Sequence, residues 1–379
     1  MSGRDLLMVA GEASGDLHGA RLLGELQRLA PEVRAFGLGG DELAATGLEC
    51  LARAREISAV GLRAVLEVLP RARQIFRQIL AEVDRRRPST AVLVDFPEFN
   101  LRLAPELRRR GVRVVYYISP QIWAWRRGRV RQIERSVDRM LVLFPFEVDF
   151  YRQHAVDVVH VGHPLVDEVP LLPQAWSRPD AAQGPFRIAL LPGSRESEVR
   201  ALLPVLLSSV RMLGERLPIE ARLIQAGTLA NERFSGAVEA AGVPLTVVRR
   251  DRFAAIADSH LALCASGTAT LEVGLLGTPL MVLYRLGAMT YAMGRLLVRL
   301  PHVSLVNLVL GRGAVPELLQ RDAAPAEVAR RAAALLGDPA AIAAMRRDLA
   351  ELRPRLGAPG ASARAAAEVA ALLRQGEAA

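Results

Sequence analysis

The stretch AVLVDFPEFN, Ala91–Asn100, decides the fold. Ala91, Val92, Leu93 and Val94 run apolar without the alternation of a half-wet strand, and the run stops at an acid followed by Pro97. A short continuous apolar run bounded by turn residues is the signature of a strand buried on both faces, as in a parallel sheet covered by helices. Working outward, similar runs lie at Leu6–Ala10, Arg34–Leu38, Val112–Ile118, Met140–Phe144 and Val158–Val161. Helical patterns separate them, among them Leu17–Ala30 and Leu101–Arg110. The pattern restarts at Arg187–Leu191, Ala221–Gln225, Leu245–Val248, Leu261–Cys264 and Leu280–Tyr284. Strands alternating with helices predict α/β domains of the doubly wound, Rossmann-like kind.

At 379 residues the chain is long enough for two such domains. The sequence divides as 1–170 (a first Rossmann-like domain), a Pro-rich polar linker at Leu171–Pro185, 186–340 (a second domain) and C-terminal helices over 341–379. Those last helices are expected to pack back on the first domain or on a partner subunit.

Composition narrows the function. The chain is half hydrophobic and carries a net charge of +9, all of its 49 basic residues being Arg. That bias reflects genome composition as much as function, yet a basic surface favours phosphorylated or lipid-headgroup partners. Two distant cysteines, Cys50 and Cys264, argue against a disulfide framework or a zinc site. The N-terminal apolar run is too short for a secretory signal and reads as a strand. No uninterrupted apolar run reaches a membrane-spanning length of roughly 18 residues.

Ligands of doubly wound sheets bind at the carboxyl ends of strands, so the motifs there carry the chemistry. Gly11–Asp16 (GEASGD) turns the first strand into a helix, with Ser14 or Asp16 as its cap. Glu12 has no evident capping role, and acids here would repel a pyrophosphate, which argues against a dinucleotide site. Asp95 ends its strand where partial desolvation raises a carboxyl pKa and suits it to take a proton from a hydroxyl. Glu98 and Asn100 add polar groups at the same edge.

SPQIWAWRRGRVRQ, Ser119–Gln132, joins Trp123 and Trp125 to a run of arginines including Arg126. It reads as a helix with Val130 and Ile133 inward, or as a site for the phosphate of a small or lipid substrate; nucleic acid ranks below both. His163 in VGHP, Val161–Pro164, is balanced between a satisfied loop histidine and a cleft role. In LLPGSRESEV, Leu190–Val199, Ser194 and Arg195 suit a diphosphate. ASGTATLE, Ala265–Glu272, presents Ser266, Gly267 and Thr268 as a helix start for phosphate, with Glu272 placed for ribose hydroxyls. Leu62, Val65, Leu66 and Leu69, continued by Ile75 and Phe76, form an Arg-bordered apolar stripe. Such a stripe fits a membrane surface or core packing equally well.

Taken together, AGEASGDLHGA, DFPEFN, YYISPQIWAWRRGRV, LFPFE, VGHP, LLPGSRESEV, ASGTATLE and VSLVNLVLGR resemble the lipid-A-disaccharide synthase family over nearly the whole chain. The resemblance implies a GT-B-like architecture of two Rossmann-like domains with a cleft between them. It implies inverting transfer of 2,3-diacylglucosamine from UDP-2,3-diacylglucosamine to 2,3-diacylglucosamine 1-phosphate. Asp95 becomes the candidate base, with Glu12 as rival or partner. Ser194, Arg195, Ser266, Gly267, Thr268, Glu272 and Asn307 form the donor site. Ser14, Asn100, Arg126 and His163 line the acceptor side. Leu62, Val65, Leu66, Leu69, Ile75 and Phe76 meet the cytoplasmic face of the inner membrane. No cofactor, metal or nucleic acid is implied, and a homodimer is compatible. The alternatives are another GT-B-type enzyme of UDP-GlcNAc, an epimerase or a lipid-linked GlcNAc transferase, and a non-catalytic peripheral lipid-binding protein.

Overall fold

The computed structural model describes residues 5–57, 62–125, 127–171, 185–225, 234, 236, 241–285 and 301–377. The chain forms two compact units, one of residues 1–164 with 357–379, the other of residues 165–356.

The first unit holds β1 (Asp5–Ala10), β2 (Arg34–Gly39), β3 (Glu49–Arg53), β4 (Thr90–Val94), β5 (Arg113–Tyr117), β6 (Arg139–Val142) and β7 (Val158–His160). All pair in parallel, in the order β3-β2-β1-β4-β5-β6-β7. The chain fills the sheet outward from β1 in one direction and then from β4 in the other. The topological switch point therefore lies between β1 and β4, where a crevice opens at the strand ends. Ala91 to Val94 are fully buried, in the continuous pattern that their composition predicts. Burying each such Val or Leu contributes roughly 1.5–3 kcal/mol. The helix Leu62–Arg86 sends Ile75, Ile79 and Val83 into the core on one face of the sheet. On the other face, Ala365, Ala366, Val369 and Leu373 of the last helix, Ala361–Glu377, pack with Leu22, Leu23 and Leu26 of Ala13–Leu29.

The second unit holds β8 (Phe186–Leu191), β9 (Ile219–Ile224), β10 (Leu245–Val248), β11 (Leu261–Ala265), β12 (Leu280–Tyr284) and β13 (Glu317–Leu319). Their order is β10-β9-β8-β11-β12-β13, again all parallel, with the switch point between β8 and β11.

Several expectations change. The first unit ends at Pro164 instead of residue 170, and the linker expected at Leu171–Pro185 lies almost wholly outside the described residues. The C-terminal segment divides: helices Pro339–Ala350 and Leu352–Leu356 belong to the second unit, and only the last helix returns to the first. Ile75 is fully buried and is a core residue instead of a membrane contact, and Phe76 is half-buried, packing edge-on against Phe99 at 5.5 Å at the margin of that core. Leu69 is half-buried. The side chains of Leu62, Val65 and Leu66 lie outside the described residues, as does Arg126.

Candidate active site

At the switch point of the first unit, β1 ends at Gly11-Glu12 and β4 ends at Asp95-Phe96. Asp95 (φ 45°) and Phe96 (φ 49°, ψ 57°) are both left-handed. Non-glycine residues held there cost of order 1–3 kcal/mol each, and such strain collects at functional sites. Three groups hold the turn. Tyr116 Oη donates to the Asp95 carbonyl at 2.6 Å. Asn100 Nδ2 donates to the same carbonyl at 2.8 Å and to Val94 O at 3.2 Å. Asp95 N–H donates to Tyr117 O at 2.9 Å, continuing the β4–β5 ladder. The Phe96 ring lies over Gly11, in space that a Cβ at that position would occupy.

The result is an acid with altered chemistry. Burial, and then the charge of Glu12, push the Asp95 carboxyl up to about 6, while the Phe96 N–H pulls the other way. A carboxylate with that pKa is a competent base near neutral pH. Glu12 is exposed and takes the N-cap position of Ala13–Leu29 without a side-chain capping bond. Ser14 is also exposed.

Three sequence expectations are corrected in this unit. Asp16 does not cap its own helix: its carboxylate accepts from Gly40, Glu42 and Leu43 N–H at 2.6–3.2 Å and caps the helix Asp41–Ala45 instead. Asn100 is fully buried, so it shapes the Asp95 turn and does not meet an acceptor. His163 is 5% exposed, stacks obliquely on Phe144, and is pushed down to about 3 by burial and by His18 and His160. It is a neutral core histidine. Val130 and Ile133 do point inward, as the helical reading of their segment requires.

At the switch point of the second unit, β8 runs into Pro192–Arg195 and β11 into Ser266–Thr268. Gly267 (φ 148°, ψ −164°) begins the helix Thr268–Leu275, makes no side-chain cap and faces open space at its Cα. The exposed first turn has the donors and the positive helix end that a phosphate needs. Ser266 Oγ donates to Val303 O at 3.3 Å, and Thr270 Oγ donates to Gly267 O at 2.7 Å. Glu272 is raised by burial, opposed by Arg252, which approaches it at 3.2 Å.

The opposite loop is less open than its sequence suggests. Glu198, the third residue of its helix, accepts from Ser194 N–H at 3.1 Å and Arg195 N–H at 3.3 Å. The same carboxylate pairs with the Arg195 guanidinium at 3.1 Å. The backbone donors of the Gly193 turn are thus engaged by an internal anion, while Ser194 and Arg195 keep exposed side chains. Asn307 is also corrected. It is 1% exposed, and its amide bonds Val315 N–H and O and the Glu317 carboxylate at 2.8–3.0 Å. Glu317 in turn accepts from Val303 and Ser304 N–H, both at 2.9 Å. Asn307 therefore braces the segment that receives the Ser266 hydroxyl.

Sequence reasoning missed Tyr116, Glu147, Glu198, Arg252 and Glu317. Glu198 and Glu147 carried a local signal, an acid at the third helical position after Ser194-Arg195 and after Phe144. Among the described residues no cluster of three His, Cys, Asp or Glu could hold a metal ion, and no helix is long and apolar enough to cross a membrane.

The chain is similar to known proteins over nearly its whole length. The chain is 46% identical over 375 residues to a lipid-A-disaccharide synthase of Anaeromyxobacter dehalogenans, covering 97% of each chain. It is 44% identical to that of Myxococcus xanthus, covering 98% of each. A calicheamicin glycosyltransferase structure covers 99% of both chains with a TM-score of 0.59 at 16% identity, which shows the GT-B fold alone. The family model described as lipid-A-disaccharide synthetase matches residues 6–370. The chain is a hexosyltransferase and belongs to the lipid-A-disaccharide synthase family.

Proposed function

We propose that the chain transfers 2,3-diacylglucosamine from UDP-2,3-diacylglucosamine to the 6-hydroxyl of 2,3-diacylglucosamine 1-phosphate. The products are the β-1,6-linked disaccharide 1-phosphate and UDP. The observation that carries this reading is Asp95, an acid strained, partly buried and set beside Glu12 at the switch point of the first unit. Asp95 takes the hydroxyl proton as the acceptor oxygen attacks the sugar C1 from the face opposite UDP. The C1–O bond breaks with its electrons going to the diphosphate, so configuration inverts. General-base help of this kind is worth roughly 10²–10⁴-fold.

The open helix start at Ser266–Thr268 and the Arg195 guanidinium hold the departing diphosphate, and Glu272 accepts from ribose hydroxyls. Preorganised donors need no reorganisation as the charge develops. Asn307 supports this site from behind. Leu62, Val65, Leu66 and Leu69 stay on the proposed membrane-facing end of their helix. Arg73 and Arg77, exposed one turn apart farther along it, suit the anionic headgroups of the inner membrane.

Product analysis after mixing the purified protein with both acylated substrates tests the reading. The expected result is a disaccharide 1-phosphate and one UDP per transfer. Turnover of a non-acylated UDP sugar in preference, or no disaccharide at all, overturns it.

A further inference from the structure

The segment Ser119–Trp125 leaves β5 beside the Asp95 turn. Its first residue follows Ile118, which is left-handed (φ 66°), so the chain bends sharply at the strand end. Two acids tie this segment and its continuation in place. Glu98, three residues past Asp95, makes a two-pronged bond to Arg129, each contact at 3.0 Å. The other acid is Glu147, in the helix Pro145–Arg152. It is 3% exposed and accepts from Trp123 Nε1 at 3.1 Å and from Phe144 N–H at 3.1 Å. The Ser119 hydroxyl donates to Pro120 O at 3.1 Å and lies 2.7 Å from Tyr151 Oη, on the same helix as Glu147. Trp123 packs edge-on to Phe146 at 4.9 Å, and Phe146 stacks on Phe144 at 5.3 Å. Tyr116, whose hydroxyl holds the Asp95 carbonyl at 2.6 Å, lies on β5 three residues before Ser119. The network around Glu147 therefore adjoins the strand end that carries the base.

A carboxyl enclosed this fully carries a large desolvation cost, and an apolar residue would fill its place with less loss. Burial pushes it up to about 7, with the bonds from Phe144 and Trp123 opposing. A helix cap alone needs only the Phe144 bond. The bond to Trp123 fixes something else, the position of the loop.

We infer that Glu147 is a positioning residue for the acceptor half of the reaction, holding the Ser119–Trp125 segment beside Asp95 through Trp123. The inference rests on the transfer reaction proposed above. Glu147 touches no reacting atom; it fixes the wall against which the acylated glucosamine phosphate is held, and leaves the donor site of the second unit alone.

Two variants test it. Trp123→Phe keeps an aromatic ring and deletes the Nε1–H; Glu147→Gln keeps the volume and leaves one acceptor oxygen for two donors. Both are assayed for disaccharide formation with each substrate varied in turn, beside the wild-type protein. The expected result is an acceptor KM raised on the order of 10-fold, the scale of one lost bond to a buried charged group. The donor KM and the UDP dissociation constant should stay within about 2-fold, as expected when uniform binding of one substrate is lost. A purely structural role would lower the melting temperature without separating the two KM values. Should Glu147→Gln fail to fold, Trp123→Phe decides alone. Unchanged acceptor KM, or equal rises for both substrates, overturns the inference while the reaction stands. A wild-type protein that forms no disaccharide overturns the reaction, and the inference with it.

Discussion

Asp95-Phe96 and Ser266-Gly267 occupy the same point of the same topology. Each follows the strand on the far side of a switch point, β4 in one unit and β11 in the other. Each starts with a backbone N–H bonded to the neighbouring strand, Tyr117 O at 2.9 Å and Leu283 O at 3.1 Å. Each opens a helix, and each is braced from inside it, by Asn100 in one case and Thr270 in the other. The chemistry is opposite. In the first unit two side-chain-bearing residues are kept in a left-handed conformation, and two carboxylates face the crevice. In the second, glycine supplies the unusual backbone without strain and begins its helix without a side-chain cap. In the proposed reaction the backbone binds the ligand where glycine suffices, and a side chain does the chemistry where strain is tolerated to aim it.

The most severe way to break the comparison is Asp95→Asn. Turnover should fall by roughly 10²–10⁴-fold while UDP binding, measured by calorimetry, stays unchanged. The same variant should gain stability. Asp95 ionises near 6 in the folded chain against 3.8 when unfolded, so the unfolded chain loses its proton first as pH rises. Folding stability then declines between about pH 4 and pH 6, and above 6 the folded state carries the full penalty. Removing the acid should add on the order of 2 kcal/mol at pH 8 and progressively less as pH falls toward 4, read from urea unfolding. A variant that is inactive but not stabilised would separate the strain of the turn from the burial of the charge.

Gly267→Val attacks the other turn. At φ 148° a β-branched residue is strained although open space surrounds it, so the helix start must shift. UDP affinity should weaken by about 10-fold or more, from a backbone cost of order 1–3 kcal/mol. Unchanged affinity would mean that the diphosphate does not use this turn. Gly11→Ala sharpens the first-unit side: the added methyl displaces the Phe96 ring and should cost about 1–3 kcal/mol in unfolding experiments, with turnover reduced through Asp95.

How much of this was legible in the sequence depended on whether the cause was local. Ala91–Val94 is apolar throughout, so strand, burial and parallel pairing followed from four residues. β3 and β13 were missed because Glu49–Arg53 and Glu317–Leu319 have mixed, half-buried patterns at the sheet edges. Asp95, Glu12, Arg195 and the Ser266 turn stood out because unusual residue types met a strand end. Asn100, His163 and Asn307 have the same residue types at similar positions, yet their roles depend on burial, which distant segments decide. Ile75 and Phe76 failed for that reason too: an apolar stripe is the same string whether it meets a membrane or Phe99. Glu147 ends LFPFE at a helix start, but its bond to Trp123 was not legible because that partner lies on another strand-end segment.

The finest test concerns the pair Glu12 and Asp95. Both sit at the crevice of the first unit, and the family resemblance made Glu12 the rival or partner of Asp95 in the role of base. Their environments differ. Asp95 is partly buried on a fixed turn, whereas Glu12 is exposed at a helix start and makes no capping bond. Glu12 raises the Asp95 carboxyl by like charge, after the larger contribution of burial. Glu12→Gln removes the charge and keeps the shape, so Asp95 should ionise more easily. The acid limb of kcat/KM, expected near pH 6 in the wild type, should move to lower pH by less than one unit, since an exposed neighbour acts through a high dielectric. Turnover above pH 7 should fall only modestly, because Asp95 is ionised in both proteins there. A collapse of activity at every pH, comparable with that of Asp95→Asn, would instead make Glu12 the base and leave Asp95 as the charge that tunes it.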